Sequence, residues 1–459
     1  MGWWLTEAGG AAPRPTLEGD QSADVVVVGG GYTGMWTAWH LLDSEPGIRV
    51  LLLEGGVCGH GPSGRNGGFC ESMWFSAPAL RARFGDDAAR SLLDASSETV
   101  TAIGAWCGDN GVDAWFDQSG YLGVSTGEAF DDVGLEAVEA ARALGRPDAV
   151  RALTADQIRA RVQAPVFRGG VHVPDFATVQ PARLAMGLRA RLLERGVEIF
   201  ENSRVVSLDA ADSVTARTQR GSVRAGAAVL AVGPSARSFR PLRSRLSVTS
   251  SHIVLTEPVP DVIEQIGWTG GECITDGRTL LHYFRTTRDG RIAFGWGGGR
   301  LAYGSRVNGR IEVDGEVAAT VHRHLIRIFP ALEGRRITHA WGGPIDVSPS
   351  HIPQIDTLPS GPVHFAFGFT GNGVGPTHLV GRALASLALD RRDRWSSLPL
   401  VGSEAGAWVP PEPLAWLGGN LVRRAFLRRE EAYERGERPG PVTRALCAVP
   451  RALGIHVAR

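Results

Sequence analysis

The chain has 459 residues, 43% of them hydrophobic, and its 48 basic and 48 acidic side chains leave a formal net charge of zero. That length exceeds the size at which one hydrophobic core stops growing, so two domains are expected, and the balanced charge gives no electrostatic footing for nucleic acid. The sequence has no long unbroken apolar run, no basic leader ahead of an apolar segment, and five cysteines (Cys58, Cys70, Cys107, Cys273 and Cys447) without a CxxC pair, so a membrane span, a secretory signal, a disulfide framework and a metal site are not expected and a reduced cytoplasmic setting is.

In chain order, Val25 to Val28 form a short apolar run ending at the glycines from Gly29, which predicts a parallel strand buried on both faces. The turn Gly29-Gly30-Gly31-Tyr32-Thr33-Gly34 follows, and then Met35, Ala38, Trp39 and Leu42 fall at the spacing of one helix face. Gly29 suits the tight turn, Gly31 the approach of backbone N–H groups to a pyrophosphate, and Gly34 close packing of helix on strand. Val50 to Leu53 predict the next strand, and Glu54 stands where a carboxylate can accept from a ribose diol. Strand, turn, helix, strand and acid together describe a clamp for the ADP-ribose half of a dinucleotide, without choosing between NAD and FAD. The loop Ser63-Gly64-Arg65-Asn66-Gly67-Gly68 brings glycines, a guanidinium and a carboxamide suited to a flat polar ring.

Farther on, Thr178 to Leu193 read as a helix, and Val197 to Phe200 and Arg204 to Leu208 as strands. The runs from His252, Leu280 and Arg291 suggest an antiparallel sheet. Gly368 to Pro376 form a second glycine-rich loop feeding a helix over Leu379 to Leu389, with Pro376 tolerated in its first turn and the helix start available to negative charge. The expected division is a discontinuous nucleotide-binding domain (20–96, 171–240 and 341–400), an interleaved substrate domain (97–170 and 241–340), and an Arg-rich C-terminal helical cap (401–459). There is no lysine, which excludes Schiff-base catalysis by an enzyme lysine.

The clamp, Glu54, SGRNGGF, AAVLAVGPSA at 227–236, WGGPIDVSPSHIPQID at 341–356 and GFTGNGVGPTHLVGR at 368–382 resemble the D-amino-acid oxidase superfamily of FAD enzymes, and within it the gamma-glutamylputrescine oxidase-like amine oxidases. The resemblance spans roughly residues 20 to 400, judged by motif order and spacing. It implies an α/β (overall α+β) fold, with a Rossmann-like FAD domain and an antiparallel-sheet substrate domain. It also implies non-covalent FAD held by Gly29, Gly31, Tyr32, Thr33, Gly34 and Glu54, by Ser63, Arg65, Asn66, Gly67 and Gly68, by Val205 (its backbone beside the adenine) and Gly233, and by Gly371, Asn372, Gly373 and Val374. His60 is the one histidine in the first loop and is read as a loop residue rather than a flavin attachment point.

The glycine clusters Gly295-Trp-Gly297-Gly298-Gly299 and Gly371-Asn-Gly373-Val-Gly375 fail the GxGxxG spacing, so reduction by an organic substrate is expected over reduction by a nicotinamide. For an amine oxidase this means hydride loss from the carbon next to a neutral amine to flavin N5, hydrolysis of the imine, and reoxidation by O2 with H2O2 formed. An apolar pocket favours the neutral amine, and its candidate walls and catalytic residues are His252, His282, Tyr283, Phe284 and Trp296. Relatives that take amino acids carry an arginine shortly after the Trp, whereas Trp341-Gly-Gly-Pro-Ile-Asp346 has none, so a primary or secondary amine is expected, polyamine-derived or N-substituted. Asp346 is read as the partner of a distal ammonium or the holder of a turn, and Arg285 as a substitute for the missing carboxylate ligand. The rival readings are a glycine, D-amino-acid or sarcosine-type oxidase, a dehydrogenase using a quinone or protein acceptor, and a flavin-binding protein without turnover.

Overall fold

Val25 to Val28 are buried because the strand that carries them, Gly19–Val28, is hydrogen-bonded in parallel on both edges, to Val50–Leu53 and to Gly221–Leu230. This computed structural model describes residues 2–304, 306–403 and 406–456. The strands Glu198–Phe200 and Val363–Phe367 extend the parallel sheet on either side, Gln354–Thr357 adds an antiparallel edge, and a small hairpin (Ser207–Ala210 and Val214–Arg217) branches from it. Alternation along the strands splits the core in two. Val25, Val27 and Leu52 pack under helices Tyr32–Ser44, Pro181–Glu194 and Pro376–Ala388, while Val26, Val28, Leu51 and Leu53 meet Ala216, Leu230 and Phe365 on the other side. Each such side chain contributes on the order of 1.5–3 kcal/mol by leaving water.

A second sheet runs in the order Ile337–Val347, Ser247–Thr256, Ile292–Trp296, His282–Thr286, Cys273–Asp276, Tyr121–Val124, Gly170–Val173, Arg151–Leu153, and is antiparallel except where Cys273–Asp276 lies beside Tyr121–Val124. One face carries Phe284, Phe294 and Trp296 against Val317, Val321, Leu325 and Ile328 of helix Gly315–Ile328. The opposite face carries Tyr283, Ile253, Ala293 and Trp341, in contact with a short helix, Trp3–Glu7. The expected α/β class with an antiparallel companion sheet is what the chain adopts.

Three local expectations shift. The helix expected from Thr178 starts at Pro181, because Thr178 pairs with Phe69 in a two-stranded ribbon. Val205 lies before its strand, which begins at Ser207. Trp341 to Val347, grouped in sequence with the nucleotide domain, lie in the second sheet. Taking sheet membership as the criterion, we propose domain boundaries after Val173 and Val347. The C-terminal helices Leu414–Glu434 and Pro441–Ala452 pack together through Ala425, Phe426 and Cys447. They dock on the second sheet where Arg278 pairs with Glu434 and where Glu430 accepts the Leu280 N–H at 2.9 Å. Among the described residues no helix is long and apolar enough to cross a membrane.

Candidate active site

At the carboxyl end of Gly19–Val28 the chain has no room for a side chain. Gly29 takes φ +112°, and a Cβ there would lie 2.3 Å from the Ala231 carbonyl oxygen, a conformation and an approach that glycine alone tolerates. The turn is fixed from two sides. The Glu54 carboxylate accepts from the amides of Gly30 (2.8 Å) and Gly56 (2.7 Å), and Ser63 Oγ accepts from the Tyr32 amide at 2.9 Å. Burial pushes the Glu54 carboxyl above its usual range, while those two amides pull it back.

These groups open onto a cavity of about 1450 Å³, larger than the usual ligand pocket of roughly 300–1,000 Å³. Its wall includes Gly29 to Thr33, Glu54, Ser63, Arg65, Asn66, Gly67, Val205, Gly233 and the second glycine loop from Gly371 to Val374, which leads into the start of helix Pro376–Ala388. The donor set suits FAD: a helix start beside the glycine turn for a pyrophosphate, a carboxylate for a ribose, and a second helix start for negative charge on a ring. The buried Nε of Arg65, which has no partner among the described residues, adds a further donor.

Within the loop, Asn66 donates to the Pro62 and Ser63 carbonyls and accepts from the Gly68 amide at 2.7 Å, so its carboxamide holds the loop itself. Arg65 pairs with Glu312 at 2.6 Å, and its carbonyl accepts from Trp341 Nε1. The Tyr32 hydroxyl donates to the Pro181 carbonyl at 2.6 Å, which leaves its backbone as the part near a ligand. Gly34 and Gly68 stand behind the wall rather than in it.

Of the expected catalytic side chains, the structure brings only Tyr283 to the cavity. Its hydroxyl lies 2.7 Å from Ser251 Oγ, which itself donates to the Trp296 carbonyl. Period-two alternation turns His282 and Phe284 to the far side of the same strand. There His282 sits with Nδ1 2.6 Å from Asp276 and Nε2 2.7 Å from His324, fully buried. His252 faces away likewise, its ring buried beside Gly342 and its pKa lowered to about 4 by burial. Trp296 also lies outside the cavity wall. Arg285 is not a carboxylate ligand in this arrangement: its guanidinium donates to the carbonyls of Val179 (2.7 Å), Gly68 and Thr286, behind the first loop. Asp346 accepts the Gly368 amide at 2.6 Å, and its carbonyl accepts from Thr370, so it holds the second glycine loop. Burial pushes its carboxyl up to about 6.

The ring-bearing walls include Phe69, Phe75, Tyr121, Phe176, Tyr283 and Trp341. Two contributions escaped the sequence reading. Glu71 lines the cavity from just past the first loop, and its signal was a lone acid in the otherwise uncharged run Phe69-Cys70-Glu71-Ser72-Met73-Trp74. The C-terminal cap supplies Val422, Phe426, Arg451 and His456 to the same wall, which no local motif announces.

A family model described as FAD dependent oxidoreductase, DAO, matches residues 24–387. The chain is 28% identical to "Gamma-glutamylputrescine oxidoreductase" of Escherichia coli (strain K12), over 94% of this chain and 96% of that protein. It is 26% identical to "Probable oxidoreductase OrdL" of Haemophilus influenzae, over 83% and 86%. Its fold is similar to that of a solved glycine oxidase from Geobacillus kaustophilus, with TM-score 0.68 and 19% identity, over 84% of this chain and 99% of that one.

Proposed function

Since the chain belongs to the DAO family of FAD-dependent oxidoreductases, we propose that this enzyme of CH–NH donors is an oxidase of a primary or secondary amine, polyamine-derived or N-substituted. The observation that carries the reading is the composition of the cavity around Trp341. The segment from Trp341 to Asp346 brings no arginine, and Arg285, the substitute candidate, is spent on backbone carbonyls outside the cavity. Of the cavity guanidiniums, Arg65 and Arg278 are paired, with Glu312 and with Asp276 and Glu434 respectively, while Arg204 lies beside Gly55 at the nucleotide clamp and Arg451 belongs to the C-terminal cap. Desolvation by the apolar part of the wall disfavours the ammonium form and so supports an amine held neutral for reaction. Similarity to an oxidoreductase named for gamma-glutamylputrescine over nearly the full length supports the same substrate class.

Bound FAD would supply the acceptor for a hydride leaving the carbon next to nitrogen and would pass the electrons to O2, giving H2O2. The residues placed to hold it are the 29–34 turn, Glu54, the 63–67 loop, Val205, Gly233 and the 371–374 loop. The chain's own work is to align the substrate against the ring-bearing wall, with Tyr283 fixed by its bond to Ser251, and to exclude water beneath the C-terminal cap. The cofactor is held without a covalent bond, and His60 stands outside the cavity wall; acid precipitation is expected to leave the yellow colour in the supernatant.

The test is anaerobic mixing of the yellow protein with polyamines, N-methylated amines, glycine and D-amino acids, following absorbance near 450 nm, roughly the band of oxidised flavin. Bleaching by amines and not by free amino acids is expected, with peroxide formed on admission of air. Bleaching by glycine or D-amino acids alone would overturn the amine reading, and bleaching without peroxide would replace O2 by another acceptor.

A further inference from the structure

Among the described residues, Glu71 is a carboxyl group without a cationic partner. It follows the Phe69–Cys70 strand, and the side chains alternate, Phe69 and Glu71 lining the cavity while Cys70 between them is buried in the core. Glu71 is 6% exposed, and Oε1 has no protein hydrogen-bond partner. The Val374 amide of the second glycine loop bonds the carboxylate, and no basic side chain contributes to its ionisation. Of the other cavity acids, Glu54 and Asp346 are also bonded by amides, Asp276 is held by His282 and Arg278, Glu312 by Arg65, and Asp132 and Glu136 have partners of their own.

We propose that Glu71 is the group that receives the substrate's nitrogen, accepting the ammonium proton on Oε1 and so delivering a neutral amine to the reaction. The inference rests on the amine reading above and names the residue that meets the nitrogen. In the step, one N–H bond of the ammonium breaks and an O–H bond forms on Glu71. The amine keeps the freed lone pair, which would form the C=N bond when bound FAD supplies the acceptor for the hydride from the neighbouring carbon. Glu71 Oε1 is an acceptor without a partner in a desolvated wall, where a cation offsets the cost of burying its charge.

The ionisation supports the same role. Burial pushes the Glu71 carboxyl up to about 8. The titratable groups facing it are Tyr32 on helix Tyr32–Ser44, Cys70 on its own segment and Cys273 on the second sheet. All three are pushed upward by burial, away from neutral pH, so one ionisation is expected in that window.

The experiment uses flavin-loaded wild type and Glu71→Gln, which keeps the size of the side chain and an acceptor for Val374. Tert-butylamine, which has no hydrogen on the carbon next to nitrogen, is titrated calorimetrically in buffers of different ionisation enthalpy. The reactive amine panel is then followed by anaerobic flavin bleaching from pH 6 to 10. Wild type is expected to release about one proton on binding at pH 7 and fewer toward pH 9, and its bleaching rate to rise through pH 8. Glu71→Gln is expected to keep its flavin and visible spectrum, release no proton, lose the pH 8 limb and bleach roughly 10²–10⁴-fold more slowly. Equal proton release and equal pH profiles in the two proteins would overturn the Glu71 role alone, leaving the amine reading in place. A wild type that neither binds tert-butylamine nor is bleached by any amine, but is bleached by a hydroxy acid, would overturn both. Loss of flavin from Glu71→Gln together with wild-type proton release absent would reassign Glu71 to holding the cofactor.

Discussion

A methyl group at Gly34 would have its carbon 2.0 Å from the Gly29 carbonyl oxygen, a backbone atom that moves only if the whole turn moves. Gly34→Ala is therefore expected to yield colourless protein, read as the ratio of flavin to protein absorbance, with the helix start displaced from the cavity. Arg285 makes the opposite kind of prediction. Removing its guanidinium leaves the buried carbonyls of Val179 and Gly68 short of donors, so Arg285→Ala is expected to cost about 2–4 kcal/mol of stability in denaturant unfolding with the order of substrate preference unchanged. The contrast marks what was legible residue by residue. Gly29, Gly34 and Glu54 were readable because their requirements are local: a positive φ, a close approach, a carboxylate at a fixed distance along the chain. Tyr283, His282, His252 and Arg285 come from strands that read correctly as strands, but which face meets the cavity depends on where the second sheet docks, and alternation gives only the relative orientation of neighbours. Glu71 was missed because its meaning lies in the absence of a partner, which only the fold reveals.

At the scale of elements, the helix pair at the C-terminus is more than a cover for the core. Val422 and Phe426 reach the cavity from Leu414–Glu434, and Arg451 and His456 from the end of the chain. Phe426→Ala and Val422→Ala are expected to raise KM for the amine several-fold while flavin content and the anaerobic bleaching rate at saturation stay near wild type. A fall in flavin content would instead place the cap over the cofactor. The sequence showed this segment as Arg-rich and amphipathic, which reads as a packed cap, yet its second role depends on the docking of Glu434 and Glu430 on Arg278 and Leu280, far back along the chain. The parallel strands and their helices were legible because hydrophobic runs ending near glycines carry their own period. Trp3–Glu7 was not, since five residues give no period to read.

For the whole molecule, buried titratable groups set how stability varies with pH. Burial raises the carboxyls of Glu71 to about 8, Glu430 to about 7 and Asp346 to about 6. A carboxyl whose folded pKa lies above its unfolded one contributes stability below the unfolded value and loses it as pH rises through the folded value. Burial lowers His252 and His364 to about 4 and His378 to about 3. For these histidines the contribution is present above pH 6.5 and lost as pH falls toward their folded values. The two trends cross, so Tm measured calorimetrically is expected to peak near pH 6 and to decline by several degrees toward pH 9, roughly a few kcal/mol of linkage. Glu71→Gln is expected to flatten the alkaline side.

The pairing of Gly19–Val28 with Gly221–Leu230, and of that strand with Val363–Phe367, joins segments about 200 and about 135 residues apart. The floor of the clamp is thus completed only after most of the chain has left the ribosome, and its first strand waits with an unpaired edge until Gly221–Leu230 has emerged. A cofactor that binds the finished site and not the waiting chain would shift this late equilibrium toward the folded state in proportion to its free concentration. Cells short of flavin would then hold less of the enzyme, because proteases remove chains that stay open, rather than a standing stock of colourless protein awaiting its cofactor.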